Sequence, residues 1–559
     1  MTNGSSKNIF GRIYLWVLVF IAVSLPLSRS TMTQGMLLLL VLWIWSDFQI
    51  SVVLRFFKQK GFFYGLFLLV NYLWQLAKES IPEKTGLFFR NRPAVVFASI
   101  YLLGLAGLFF TGNFPQATHI LRIKLPLLLF PLVFASTKPI SRNDFKKLML
   151  FYIAALLAGT LIGSFKIFSG NYVNVREFSP FISPVRFGLN LTFGTLSLIY
   201  FIVKDNSFSR PVKIFMATVV LWFIWFLIKM ESVTSLGLLL LIGMAWMVSE
   251  GIRLKKTVPV LAVLAFVFLI PVASYFYLRR EVYRMTHVAV GQTIPPDTVR
   301  TAQGHPYVFD TVHFGIEDGR YVGAYLCIPE LKNAWNRRSH IPFNGNDKNG
   351  NPLQYTLIRY MTSKNLKKDA AGVEKLTVKD IRNIENGIAN VQYVEHPGLH
   401  SRLLVMVKGW QVYQKTGQAG GNSVLQRYEY LRAVLRVIKN NFWTGTGTGD
   451  ILEALGNQYI RLHSGIEKYA GFYSHNQYLD VFAAYGIFGF LWFLFALIYS
   501  AVKTHRFNDF FFVVFYFIML LSMLSDDTLE THAGVTLFAF FLSLLLFGKE
   551  KATSPDSLR

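Results

Sequence analysis

Arg427 follows Ser423-Val424-Leu425-Gln426, a run that reads as a capped helix start. Leu425, Tyr428, Leu431, Leu435 and Ile438 continue it at helical spacing, which predicts a helix over 424–439. A cation in a first helical turn opposes the helix dipole unless an anion such as a phosphate gathers there. A solvated surface arginine is the plainer alternative. Next comes Trp443-Thr444-Gly445-Thr446-Gly447-Thr448-Gly449-Asp450. Its alternating glycines let backbone N–H groups converge on an anion, or let two chain segments pass closely. No Gly-Lys-Ser/Thr follows, so it is not a nucleotide loop. Tyr473-Ser474-His475-Asn476 then precedes a long apolar run. His475 can accept a proton from a hydroxyl, with Asn476 beside it to orient the ring. An interfacial hydrogen bond with no catalytic role also fits. Arg186, in Ser183-Pro184-Val185-Arg186-Phe187-Gly188, opens another apolar run, where an ionisable group has a partner or a function, or snorkels to the interface. Asp526, Asp527 and Glu530 lie between the last two apolar runs and are the reserve of bases. No Ser/His/Asp array and no metal-ligand spacing is evident, so neither a metal nor another cofactor is expected.

Composition sets the frame for these residues. Of 559 residues, 53% are hydrophobic and only 16% charged, against nearer a quarter charged in soluble domains. The net charge of +25 comes from short basic clusters between apolar runs, a membrane-topology pattern rather than a nucleic-acid face. Cys327 is the single cysteine, which excludes an internal disulfide and any multi-thiolate metal site.

The apolar runs predict an all-α polytopic membrane protein with about twelve transmembrane helices, nine before a large extracytoplasmic loop and three after it. The divisions are an N-terminal membrane domain over 1–278, the loop over 279–477 and a C-terminal membrane domain over 478–559. Residues 62–76 are too short to cross comfortably and carry basic residues on both flanks, so they read as a re-entrant or interfacial element. Lys138 and Arg142, Lys204 and Arg210, Arg253 and Lys255, and Lys503 and Arg506 alternate with loops poor in Lys and Arg. That alternation puts both termini in the cytoplasm. Within the large loop, residues 281–400 read as a small folded insert, with a helix from Val378 to Asn390 capped by Thr377.

From about 423 to 490 the chain resembles the O-antigen ligase and O-antigen polymerase family of bacterial membrane glycosyltransferases. The resemblance rests on an arginine at a helix start (Arg427), Gly445-x-Gly447-x-Gly449, His475-Asn476, and the helix carrying Gly486-Ile487-Phe488-Gly489. Leu121-Arg122-Ile123-Lys124-Leu125-Pro126 resembles the family's entry to a Pro-containing helix, and the insert resembles an addition seen in members from the Bacteroidetes.

The resemblance implies metal-independent transfer of a glycan from undecaprenyl pyrophosphate to a lipid A-core or other glycan acceptor, on the periplasmic face of the inner membrane. It implies Arg427 and Arg186 as pyrophosphate ligands, His475 as the group acting on the acceptor, and Asn476, Gly445, Gly447, Gly449, Asp527 and Glu530 in support. Where family members carry Ser-Arg, this chain has Lys229-Met230-Glu231-Ser232, and Lys229 offers a point charge rather than a bidentate fork. Ligase is the preferred reading. The signature equally admits a polymerase or a protein O-oligosaccharyltransferase, and outside enzymes a glycan or lipid transporter is the rival. A transporter should place its polar groups near the bilayer midplane, whereas these charges sit at the ends of apolar runs.

Overall fold

The computed structural model describes residues 3–170, 175–255, 257–288, 299–310, 314–395, 399–419, 422–463, 465–469 and 471–551. Parts of the expected insert (289–298, 311–313 and 396–398) therefore lie outside the described residues. The chain is mostly helical, at 74%. Among the described residues eight helices are long and apolar enough to cross a membrane. Three shorter apolar helices accompany them: Arg29–Ile44, Phe510–Ser522 and His532–Gly548. The ninth expected span, 257–277, lies in the helix Thr257–Thr286.

Two compact units divide the chain, Met1–Leu254 with Gln426–Arg559, and Lys255–Leu425. The first is packed largely through aromatic rings. Phe193 meets Phe515 at 4.9 Å and Phe541 at 5.0 Å, and Phe130 meets Phe540 at 5.3 Å. In a bilayer, close van der Waals fit takes over from hydrophobic burial as the force joining helices. Small residues permit that fit: a Cβ at Gly194 would stand 2.5 Å from Leu156.

Charges gather at the helix ends. At one end Lys146 pairs with Asp205 at 2.7 Å, Lys204 pairs with Glu250, and Lys549 pairs with Asp509 at 2.6 Å. These residues come from, or border, the basic loops that the charge pattern assigns to one side. The far ends of the same helices carry Arg186 and the Asp526–Glu530 loop.

Residues 62–76 open a 29-residue helix, Phe62–Arg90, rather than a short separate element. It doubles back on the helix Ile50–Lys60 at Gly61, whose φ of 73° suits a reversal. Phe63 and Trp74 leave their rings exposed, at 85% and 70%.

The second unit has its own core around Trp335, Leu357, Tyr360, Met361 and Ile384. Its only strands among the described residues, Ile316–Glu317 and Arg320–Tyr321, pair antiparallel. Thr377 caps the expected helix in a capping box with Asp380, but the helix ends at Glu385 instead of reaching Asn390. Gly387, at φ 80°, turns the chain away. The unit is also wider than the expected insert, because the helices Thr257–Thr286 and Leu399–Thr416 belong to it.

Candidate active site

Pro184 opens the helix Pro184–Lys204 with its φ already helical, and Arg186 is the third residue. Asn190 donates to the Arg186 carbonyl at 2.7 Å and accepts from the Tyr152 hydroxyl at 2.8 Å, which fixes this first turn. The guanidinium is buried and holds two acids. Nη1 donates to Oδ1 of Asp526 at 3.1 Å, and Nη2 lies 3.1 Å from Oδ2 of the same carboxylate. Nη2 also donates to the Asp527 carbonyl at 3.0 Å and to Oδ1 of Asp527 at 3.1 Å. The pyrophosphate contact expected of Arg186 is therefore taken up by protein carboxylates. Its buried Nε has no partner among the described residues.

His475 reaches the same acids from the other side. Its backbone is left-handed (φ 57°), and Nδ1 stands 3.5 Å from Oδ1 of Asp527, long for a hydrogen bond but close for a charge contact. Tyr430 lies against the imidazole with ring centroids 5.5 Å apart, and the side chain keeps 30% of its surface exposed. Burial pushes the Asp527 carboxyl up, but His475 and Arg186 outweigh it and hold the group below the usual range. Asp526 is pushed up to about 6, first by burial, with the Asp527 charge adding to it and Arg186 opposing.

A second set of contacts fastens the acidic loop to the His475 turn. Gln477 accepts from Leu529 N–H at 2.7 Å and donates to Glu530 at 2.8 Å. Lys124 pairs with Glu530 at 2.8 Å. Glu530 is thus an anchor and no free base. Asn476 does not orient the imidazole either. Its Oδ1 caps the helix Gln477–Lys503 by accepting from Tyr478 and Leu479 N–H, and its Nδ2 donates to the Leu524 carbonyl. The spacing could not reveal Lys124 as Glu530's partner; a lysine inside an apolar stretch was the available signal.

The glycine run proves to be a backbone joint, and an anion cradle is not formed. The helix Gln477–Lys503 breaks at Gly486, with φ 64° and ψ −171°. The break frees the carbonyls of Ala483 and Ala484, which accept from Thr446 and Gly447 N–H at 2.9 Å each. Ile487 N–H turns to the Phe442 carbonyl, also at 2.9 Å. A Cβ at Gly445 would strike the Ala484 carbonyl at 2.3 Å, and one at Gly447 the Phe110 carbonyl at 2.7 Å. Gly449 packs against the Asn113 carbonyl, and Asp450 accepts from Gly112 and Asn113 N–H. Gly486→Ala should cost roughly 1–3 kcal/mol through the glycine-only backbone alone, with the collision at the Trp443 carbonyl added. A lower thermal midpoint in detergent than for Gly237→Ala, where the space is open, is the expected measurement.

Arg427 and Lys229 are placed differently. The helix runs over Ser423–Asn440 and its cap is Asn422, which accepts from Val424 and Leu425 N–H, so Ser423 is not the cap. Arg427 therefore lies in the second turn, where the dipole's penalty fades. Its side chain is exposed, one turn before the Tyr430 that packs on His475. Lys229 ends the helix Arg210–Lys229, also exposed. Neither forms an ion pair among the described residues. His475, Asp526 and Asp527 bring ligand atoms within 4.8 Å of one another, and Arg186 pairs with both acids.

Residues 358–494 match the family model described as O-antigen ligase. No curated protein matches the chain. The matched span holds Arg427, the glycine joint and His475, while Arg186, Lys124 and the acidic loop lie outside it. Over residues 358–494 the chain is thus similar to the O-antigen ligase family.

Proposed function

We propose that the chain transfers a glycan from undecaprenyl pyrophosphate to a lipid A-core acceptor, without a metal, on the periplasmic face of the inner membrane, with both termini cytoplasmic. The observation that carries this reading is His475, aimed at Asp527 at the mouth of a membrane helix and partly open to solvent. Asp527 draws the ring hydrogen to Nδ1 and leaves the Nε2 lone pair for an acceptor hydroxyl. That hydroxyl oxygen forms the new bond to the anomeric carbon. The bond from that carbon to the pyrophosphate oxygen breaks, its electron pair leaves with the pyrophosphate, and the hydroxyl proton passes to His475.

Arg427 and Lys229 are the exposed cations available to the departing pyrophosphate. Arg186 holds the acids that set the imidazole. The glycine joint, Lys124 and Glu530 keep these pieces in register. Arg186 and the Asp526–Glu530 loop, at helix ends rather than at mid-helix, favour chemistry on a membrane-borne donor over transport.

Deleting the gene tests the assignment. Loss of long lipopolysaccharide ladders with accumulation of full-length carrier-linked polymer is the expected result. Ladders cut to a single repeat would make the chain a polymerase. Intact ladders with proteins lacking their glycans would make it a protein O-oligosaccharyltransferase.

A further inference from the structure

Within the unit Lys255–Leu425, three residues that spacing alone does not connect come together. Cys327 is the residue before the helix Ile328–Arg338, and Glu330 lies in its first turn. Three positions apart at a helix start, the two side chains share one face. His305 arrives from a separate turn. Thr301 N–H donates to the His305 carbonyl at 2.8 Å, Gly304 turns the chain at φ 85°, and Val308 pairs with Leu326 beside Cys327. The imidazole, thiol and carboxylate ligand atoms all lie within 4.8 Å of one another.

We propose that His305, Cys327 and Glu330 form a binding site for a borderline-soft divalent cation of the zinc type. One sulfur, one ring nitrogen and one carboxylate oxygen match the donors zinc takes, while calcium and magnesium prefer all-oxygen sets. Thiolate and carboxylate together carry two negative charges, which a divalent ion balances. Cys327 and Glu330 are buried, at 3% and 5% exposed, whereas the His305 side chain is 54% exposed. The open side gives the ion a path in and leaves room for a water as fourth ligand.

The carboxylate is already oriented from behind: Thr301 donates to Oε1, and Ala370 N–H donates to Oε2 at 3.3 Å. Such supporting hydrogen bonds fix a ligating acid. Nδ1 of His305 now stands 2.7 Å from Oε1 of Glu330, a proton-sharing distance. Tetrahedral zinc at about 2.0–2.2 Å from each atom requires them to separate by roughly 0.7 Å. The exposed histidine on its turn can supply that movement. A lone cysteine and an absence of paired-cysteine spacing hid this site from sequence reasoning, because His305 lies 22 positions before Cys327.

Purified full-length protein, stripped with a chelator, is titrated with Co²⁺ and with Zn²⁺. The expected result is one ion per chain, a thiolate-to-cobalt charge-transfer band, and displacement of cobalt by zinc. Cys327→Ser should abolish the band, and His305→Ala should weaken cobalt binding at least tenfold. Circular dichroism on each variant separates loss of the ion from loss of the fold. Absence of the thiolate–cobalt band in the wild-type chain overturns the proposal outright, and so does equal cobalt affinity in folded His305→Ala. None of these readouts depends on glycan transfer.

Discussion

Replacing His475 with Ala should abolish glycan transfer while leaving the carrier lipid bound. A sugar hydroxyl is a poor nucleophile, and a positioned base accelerates such a step by roughly 10²–10⁴-fold. The imidazole stands where it can do this: its Nδ1 faces Asp527 at 3.5 Å, the Tyr430 ring lies tilted against it with centroids 5.5 Å apart, and 30% of the side chain stays open. The donor's pyrophosphate, by contrast, is assigned to Arg427 and Lys229, which the substitution does not touch. Carrier-lipid binding by purified His475→Ala, measured beside its transfer rate, separates the two roles. A loss of binding as large as the loss of rate would make His475 a phosphate ligand. The base would then be sought in the Asp526–Asp527 pair, because Glu530 is committed to Lys124 and Gln477.

A mostly helical chain with several membrane-length apolar helices was legible, because a crossing helix writes a long apolar run into the chain; eight of the about twelve expected spans have that length and composition among the described residues. The candidate site residues were legible as residue types and obscure as partners. Arg186 read as a cation awaiting phosphate, yet its two acids lie about 340 positions away in a loop whose own pattern only marked it as acidic. Asn476 next to His475 invited a role on the imidazole. The neighbouring helix start claims its side chain instead, since unpaired N–H groups at a helix end need an acceptor. The glycine run was ambiguous between binding an anion and letting two segments pass closely. Its meaning depended on Gly486, some 40 residues on, where the helix break frees the carbonyls that the loop takes up. Long-range pairing of this kind leaves no periodic trace in a single sequence.

Arg186→Met should be among the most destabilising single substitutions in the membrane unit, at about 3–5 kcal/mol, the usual cost of removing one partner from a buried charge cluster. The change leaves Asp526 and Asp527 buried without the guanidinium that binds both. Adding Asp526→Asn and Asp527→Asn removes the uncompensated charges and should restore most of the thermal midpoint. Transfer should not return, because His475 then lacks the carboxylate that orients it. Acid should act in the same direction as the amides. Asp526 is already held up at about 6 by burial, and losing Arg186 removes a charge that lowers both acids, so both rise. A buried acid whose folded value lies above its unfolded value, near ~4, binds its proton more tightly when folded. Its contribution to stability therefore grows as pH falls through that window and is lost as pH rises. Arg186→Met should accordingly recover stability between pH 8 and pH 5 by more than the wild-type chain does. Unfolding midpoints of both proteins across that range decide the matter: a constant gap between them would mean that Arg186 contributes by packing alone, and that the acids do not depend on its charge.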